Sequence, residues 1–447
     1  MKKTIFLTAS LVCCNLFATA QRHYSLEQIL DSALHNNIAV RSARYDIEAA
    51  RQQRKEAFTK YFPGISAGGF IFNTNNGMAK LSVNPAEVLP ADISMTLAQI
   101  LPSGVLAAMG TPITMTMLKN GMVGSVMATQ PVFTGGRIVY GNRLARVGED
   151  VSRLQMQLSE NNVEKTAESY FWRVATMQEK LNTVLAVEAM LADVRKDVDV
   201  AVRAGVAMRN DMLQVQLRQN EVASQKLTLQ NNLSFMRQLL SQYCGLRDTS
   251  FSIVYDESVS SPLMSRQDHD LALLSRAEYK LMNKQVEVAS LQRKMTIGEN
   301  LPTVAVGAGY NYHDLLDTNH SFGMIYATVS VPLSDWWGGS YAIRRRKLEQ
   351  KKAQEQLADN AEMMKIGMQN AWNNVVEAYQ QLQIAASSIE QAEENLRLNR
   401  DYYRAGTSRM TDLLEAQMLY QQSRDKYTDA FADYHNRLLE YRQSVGL

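Results

Sequence analysis

Residues able to do chemistry are few in this chain. Gly64-Ile65-Ser66-Ala67-Gly68 fits G-x-S-x-G, the nucleophile elbow of many hydrolases. That elbow needs a strand before the serine and a helix after it. Here a helical pattern ends at Pro63 and a strand-like run, Gly64–Phe72, contains the serine, so the context is wrong. His313, Asp314, Asp317 and His320 gather imidazoles and carboxylates that suit a divalent ion. Their spacing matches no ligand pattern, and a polar hairpin turn accounts for them equally well. There is no H-E-x-x-H, no cysteine pair and no phosphate-cradling glycine loop, and the 6 histidines are scattered. With no convergent polar site, the residues point to no enzyme, no cofactor and no metal.

Repetition is the stronger signal. Arg203–Leu246 and Arg404–Leu447 superpose without a gap, 201 residues apart, with Gly205/Gly406, Asp211/Asp412, Gln216/Gln417 and Gly245/Gly446 among the identities. In each copy a long helical pattern runs into Arg-Ala-Gly, where glycine can take the left-handed conformation that ends a helix. Each copy is thus a helical hairpin tip, and the 447 residues read as two pseudo-equivalent halves.

The formal charge of +2 falls to zero if Lys2 and Lys3 leave with a leader, so nothing points to nucleic acid. Met1–Ala20 has a basic start, an apolar middle and Ala18-Thr19-Ala20, the signature of a secretory signal peptide. Cys13 and Cys14 invite a lipoprotein reading, but Val12 and Cys13 precede them where a small residue is expected. Cys244 is then the only cysteine left, which rules out an intrachain disulfide. No later run reaches the ~18 apolar residues of a spanning helix, so a membrane form has to be a β-barrel.

Along the chain, periodicity predicts a helix over Ser25–Tyr61 with a Ser25/Gln28 capping box, a strand at Gly64–Phe72, and a long Asn73–Lys119 segment that is functional or carries short structure of its own. A strand over Met122–Phe133 follows, then a helix over Arg137–Ala204, about 100 Å long at ~1.5 Å per residue. A return helix, Met208–Leu246, leads to a connector, Arg247–Gln267, and a helix over Leu271–Gly298. Thr303–Tyr312 and Met324–Leu333 alternate apolar with small or polar residues, as membrane barrel strands do, although a soluble half-buried hairpin shares the pattern. Trp336 and Trp337, at the strand end, suit an aromatic girdle. Gly338-Gly339 leads into Tyr341–Tyr403, whose apolar residues are spaced four and three apart on two stripes, as in a ring of helices. Arg344-Arg345-Arg346-Lys347 reads as a solvated face or as a contact for lipid phosphates. Four strands cannot close a barrel, because closure takes about eight or more; the chain must oligomerise.

The signal peptide, the two hairpins, the two long helices with glycine tips and the closing run Asp412-Leu413-Leu414-Glu415-Ala416 resemble the TolC-like outer-membrane efflux protein family over essentially the whole mature chain. The resemblance implies a mainly α fold with β: a trimeric outer-membrane β-barrel, four strands per chain, continued by a long periplasmic α-helical coiled-coil barrel built from two internal repeats. Residues 1–20 would be the signal peptide and 21–246 the first repeat, with the long loop 73–119 and a tip at 205. Residues 247–267 would be an equatorial connector and 268–447 the second repeat, with its hairpin at 303–333 and a tip at 406.

The implied function is an exit duct of a tripartite efflux or type I secretion system, a passive conduit in the cell outer membrane that extends into the periplasm. Its implied partners are two further copies, a periplasmic adaptor, an inner-membrane pump and outer-membrane lipid. Gly205, Val206, Gly406 and Thr407 are the adaptor-docking positions, Asp211 and Tyr403 the tip latch, and Asp412 with Glu415 the acidic gate. Three copies of that pair, one helical turn apart, would make two stacked acidic rings that favour cations. The chain departs from the family at Ser408, where an arginine of a second latch is expected; Arg409 is its nearest substitute. A soluble periplasmic coiled-coil scaffold or adaptor is the competing reading, since it shares the tips but not the strands.

Overall fold

The computed structural model describes residues 22–447 except 89, 91–92, 94, 97–99, 110, 257, 260, 263–265 and 316–317. The leader, Cys13, Cys14 and Asp317 lie outside the described residues. The first half contains β1 (Arg22–Tyr24), α1 (Leu26–Asn36), α2 (Ile38–Thr59), β2 (Gly64–Asn73), β3 (Ala79–Val83), α3 (Pro85–Val88), α4 (Ser103–Met109), β4 (Ile113–Met117), β5 (Asn120–Phe133), α5 (Arg137–Arg203) and α6 (Arg209–Cys244). The second contains β6 (Phe251–Ile253), α7 (His269–Ser275), α8 (Ala277–Glu299), β7 (Thr303–Leu315), β8 (Thr318–Ser330), α9 (Asp335–Arg404) and α10 (Met410–Ser444). The chain folds into two units, one of residues up to Arg51, Val147–Glu287 and Lys351–Leu447, the other of Gln52–Arg146 and Val288–Gln350. Among the described residues no helix is long and apolar enough to cross a membrane.

In the first unit, Ser25 and Gln28 form both halves of the expected capping box. The single helix expected over Ser25–Tyr61 is instead broken at Asn37. Asn37 Oδ1 accepts the Ala39 amide at 2.9 Å and its Nδ2 donates to the Tyr243 carbonyl at 3.1 Å, so this side chain starts α2 while tying it to the end of α6. A short amide side chain competes with the helix ladder in this way. The helix expected over Leu271–Gly298 is likewise split, at the extended Arg276. The connector is not irregular throughout: β6 pairs in parallel with β1. Phe251 is fully buried there and packs edge-on against Tyr24. Two glycine positions per repeat match at the 201-residue offset: Gly205 and Gly406 have φ of 74° and 73°, Gly245 and Gly446 67° and 79°.

The core of this unit gathers Phe171, Trp172, Leu240, Phe251, Met368 and Tyr441. Cys244 is buried within it, and burial pushes its thiol up to about 12. His435 stacks on Trp172 with ring centroids 4.2 Å apart. Burial, and then the positive charge of Arg442, hold its imidazole down at about 4. An unfolded histidine takes a proton near 6.5, the folded one only near 4, so its contribution to stability is complete above about 6.5 and is lost as pH falls to 4. The loss is on the order of 3 kcal/mol. Nearby Glu168 runs the other way, because burial raises its carboxyl. His435→Gln should therefore flatten the fall in melting temperature between about pH 6.5 and 4 relative to wild type; parallel curves from the two proteins would sink the assignment.

The second unit holds a four-stranded antiparallel sheet in the order β2-β5-β7-β8. Pairing runs from Gly64↔Thr129 to Asn73↔Asn120, from Gly121↔Leu315 to Phe133↔Val304, and from Thr303↔Ser330 to Leu315↔Thr318. The second hairpin is longer than periodicity predicts, since β8 starts at Thr318 and not at Met324. Residues in register share a face. One face carries Ile65, Ile71, Val126, Val306, Ile325 and Val329, all exposed. The opposite face mixes small and polar residues with Phe70, Met127, Phe322 and Met324; there Tyr326 lies across Gly307 and its hydroxyl meets Thr129 Oγ1 at 2.7 Å. The outer edges of β2 and β8 have no partner strand among the described residues. Beyond β2 and β5 the long segment carries its own ladder, β3 with β4, and the short helices α3 and α4. Gly338 and Gly339 do not precede a helix but lie within α9, where Gly339 leaves space that the Asn300 side chain fills.

Candidate gate at the helical tips

Each tip is closed by the same local chemistry. After α5, the Gly205 amide bonds the Val202 carbonyl at 3.1 Å and the Val206 amide the Ala201 carbonyl at 2.9 Å. After α9, Gly406 bonds Tyr403 at 3.0 Å and Thr407 bonds Tyr402 at 2.9 Å. The return helices then start on Met208 and Arg409, neither of which has a side-chain oxygen to cap with. Asp211 and Asp412 supply the missing acceptor: each carboxylate takes the cap residue's own amide at 3.0 Å. Both acids also complement the positive end of the helix. Val206 is 80 % exposed, and nothing packs over Gly205 or Gly406.

Between the tips lies a cleft of about 840 Å³ lined by Asp197, Asp211, Gln214, Tyr403, Arg404 and Met410, among others. Asp211 and Tyr403 are thus brought together. Partial burial, then the charges of Asp211 and Asp197, raise the Tyr403 hydroxyl above its ordinary range. No hydrogen bond joins Tyr403 to Asp211 among the described residues; one Asp211 oxygen accepts the Met208 amide and the other is left over. Arg404 faces Asp197 at 3.8 Å. Ser408 Oγ is buried without a partner, and Arg409 makes no ion pair among the described residues.

Asp412 and Glu415 stand one turn apart on the exposed side of α10, while Met410, Leu413 and Ala416 on its other side are buried. Trp336 and Trp337 belong to the first turn of α9 and not to a strand; Trp336 Nε1 donates to the Asn300 carbonyl at 2.9 Å. Ser66 sits in mid-strand opposite Met127, with no elbow. His313 and His320 pair across β7 and β8 with rings 5.7 Å apart, but Asp314 points to the opposite face, and no group that could hold a metal forms among the described residues.

One feature near the tips is not evident from motifs. Arg218, its side chain 12 % exposed, donates to Gln417 at 3.0 Å, Gln421 at 2.9 Å and Glu221 at 3.0 Å. Gln421 in turn donates to Gln225 at 3.0 Å. Both Gln417 and Gln421 are buried. This polar seam joins α6 to α10 beside an apolar cluster of Val194, Val198, Val215, Met410 and Leu413. Its one sequence signal is the Gln417/Gln421 spacing of four, which puts two amides on the seam-facing side of α10.

Residues 270–447 match the family model described as outer membrane efflux protein. That stretch resembles outer membrane efflux proteins. The resemblance of the remainder is carried by the fold. The outer-membrane channel OprN superposes with a TM-score of 0.74 at 14% identity, over 94% of this chain and 89% of its own. VceC, an outer membrane protein of Vibrio cholerae, gives 0.72 at 13% identity over 94% and 96% of the two chains. CmeC, an outer membrane channel of Campylobacter jejuni, gives 0.74 at 13% identity over 94% and 85%. No curated protein matches the chain. The matched stretch comprises β7, β8, α9 and α10 together with α8, most of α7 and the Gly406 tip.

Proposed function

We propose that three copies of this chain close a single β-barrel in the outer membrane by pairing β8 of one copy with β2 of the next, and that the joined helices form a periplasmic exit duct. The observation that carries this is the sheet: two edges without a partner strand among the described residues, and one face on which Ile65, Ile71, Val126, Val306, Ile325 and Val329 are all exposed. Four strands fall short of the roughly eight a barrel needs, and an open edge invites a partner strand. The exposed face offers lipid Ile325, which is 89 % exposed, and its neighbours, while the face of Gly307, Thr129 and Tyr326 lines the lumen. A scaffold or adaptor has no use for such a face.

The duct serves a tripartite efflux or type I secretion system, with an adaptor seated on Gly205, Val206, Gly406 and Thr407 and an inner-membrane pump beyond it. Its division into a first repeat to 246, an equatorial connector and a second repeat from 268 follows the matching tips. It works as a conduit and not as an enzyme. Asp412 and Glu415 form the acidic gate, Asp211 and Tyr403 the latch, and Trp336 with Trp337 part of the girdle. In a latch, Tyr403 donates to whichever Asp211 oxygen Met208 leaves free.

Single-channel conductance in planar bilayers tests this. Alanine at 412 would also remove the acceptor for the Arg409 amide, so the variant to use is Asp412→Asn/Glu415→Gln, which keeps the shape and drops the charge. Wild type should open small, cation-selective pores, and the variant should conduct without cation preference. Equal selectivity in both would remove the gate and leave the duct. Protein that stays soluble without detergent and never conducts would remove both.

A further inference from the structure

Two helices of the second unit carry the same stripe in opposite directions. Lys55 and Phe58 lie three apart on α2, and Phe62, four further on, lies in the turn just past its end, so that the phenylalanines are nearer the start of β2. On α9, Trp337, Tyr341 and Arg344 repeat the order outward from the end of β8, at spacings of four and three, with Lys347 one turn further on. Such spacings put Lys55 with Phe58, and the four residues of α9, on one helix face each, and every one of these side chains, Phe62 included, is exposed. Hence on both helices aromatics lie next to the sheet and cations one to two turns, roughly 5–10 Å, beyond.

Hydrogen bonds fix the level of both stripes. Gln130 Nε2 on β5 holds the Tyr61 carbonyl at 3.0 Å, Asn142 Nδ2 holds Ala57 at 2.8 Å, and Trp336 Nε1 holds Asn300 at 2.9 Å. Phe58 packs edge-on against Phe62 with centroids 5.5 Å apart. Lys55, Arg344 and Lys347 have no carboxylate partner among the described residues, whereas Arg346 is taken up by Glu349 at 2.8 Å. The far end of the sheet is different. Among the described residues its charges are Lys80 and Lys119 against Glu87 and Asp314, which balance and form no cationic stripe.

We infer that these stripes form an interfacial site for an anionic glycerophospholipid of the leaflet nearer the helices, with Phe58, Phe62, Trp337 and Tyr341 at the glycerol level and Lys55, Arg344 and Lys347 on the phosphate. The inference rests on the barrel reading and adds a headgroup to it. Aromatic rings settle at the acyl–headgroup boundary, and basic residues just outside it attract anionic lipid, each weakening with salt. Lipopolysaccharide phosphates, the other source of this chemistry, would face the far end, whose described charges balance.

The test is native mass spectrometry of the whole detergent-extracted assembly, offered phosphatidylglycerol, phosphatidylcholine and lipid A in turn. Wild type should retain phosphatidylglycerol over phosphatidylcholine by about tenfold or more at low salt, and Lys55→Gln/Arg344→Gln/Lys347→Gln should retain the two equally. Each single substitution should give part of the loss, which serves if the triple variant does not assemble. A preference for lipid A, no headgroup preference, or the same preference in the variant overturns the site. A protein that holds no lipid of any kind fails the barrel reading instead, so the two failures are distinct.

Discussion

Arg218→Ala is expected to lower the unfolding free energy by about 3 kcal/mol and to leave the tips leaky. The guanidinium reaches Gln417, Gln421 and Glu221 from a side chain that is 12 % exposed. Glu221, more than half exposed, returns to water when the arginine goes. Gln417 and Gln421 cannot, so two buried carbonyl oxygens lose their donor, each at about 1–3 kcal/mol. The damage is local, because the seam joins the two return helices beside the Met410 and Leu413 cluster. Thermal unfolding, protease cleavage at the tips and conductance should all move together. An apolar exchange of the whole seam, Arg218→Met with Gln417→Leu and Gln421→Leu, should recover most of the stability, since a well-packed apolar replacement of a buried polar group is often neutral. Arg218→Ala with unchanged melting and unchanged conductance would show the seam to be passive.

Gly298→Val is expected to abolish assembly altogether. Gly135 and Gly298 bring the start of α5 and the end of α8 together backbone to backbone, so that a Cβ on either would overlap the other's carbonyl oxygen. Backbone cannot give way as a flexible side chain can. Overpacking of this kind costs about 1–3 kcal/mol and often more, and at Gly135 a side chain would also meet the left-handed φ of 63° at roughly 1–2 kcal/mol. Loss of protease-resistant, heat-stable oligomer from purified membranes is the readout. Gly338→Ala is the control, because nothing lies near its Cβ position within α9 and a helical glycine-to-alanine change stabilises by about 1 kcal/mol. If Gly298→Val assembles as well as Gly338→Ala, the close approach is not required.

Elements with strong periodicity are legible in the sequence. The α5 and α9 helices, both hairpins and both glycine tips follow from apolar spacing and from repetition. What escapes depends on single polar side chains whose partners are distant in sequence. Asn37 breaks a helix by bonding Ala39 and Tyr243, and the second of those lies about two hundred positions away. β1 and β6 are three residues each, too short for a period, and exist because they pair. At the tips the family pattern gives Asp211 and Asp412 different roles, yet both do the same local work, accepting a cap amide at 3.0 Å. The repeat already implied that equivalence; motif matching by itself obscures it. Arg218 is invisible for the opposite reason, since its repeat partner is Leu419 and no period marks it.

The β3–β4 ribbon occurs in only one of the two hairpins. In any ring closed by joining β8 to β2, long and short hairpins therefore alternate around the mouth, and the two-fold likeness of the repeats is lost at the rim. Each copy in such a ring would contribute one ribbon, with successive ribbons four strands apart, about 19 Å across the sheet at ~4.8 Å per strand. A multivalent ligand would meet equal ribbons at that fixed pitch, one for each copy in the ring. Engaging all of them can tighten binding by roughly 10²–10⁴ over a single ribbon, so a weak contact repeated by symmetry suffices for firm attachment.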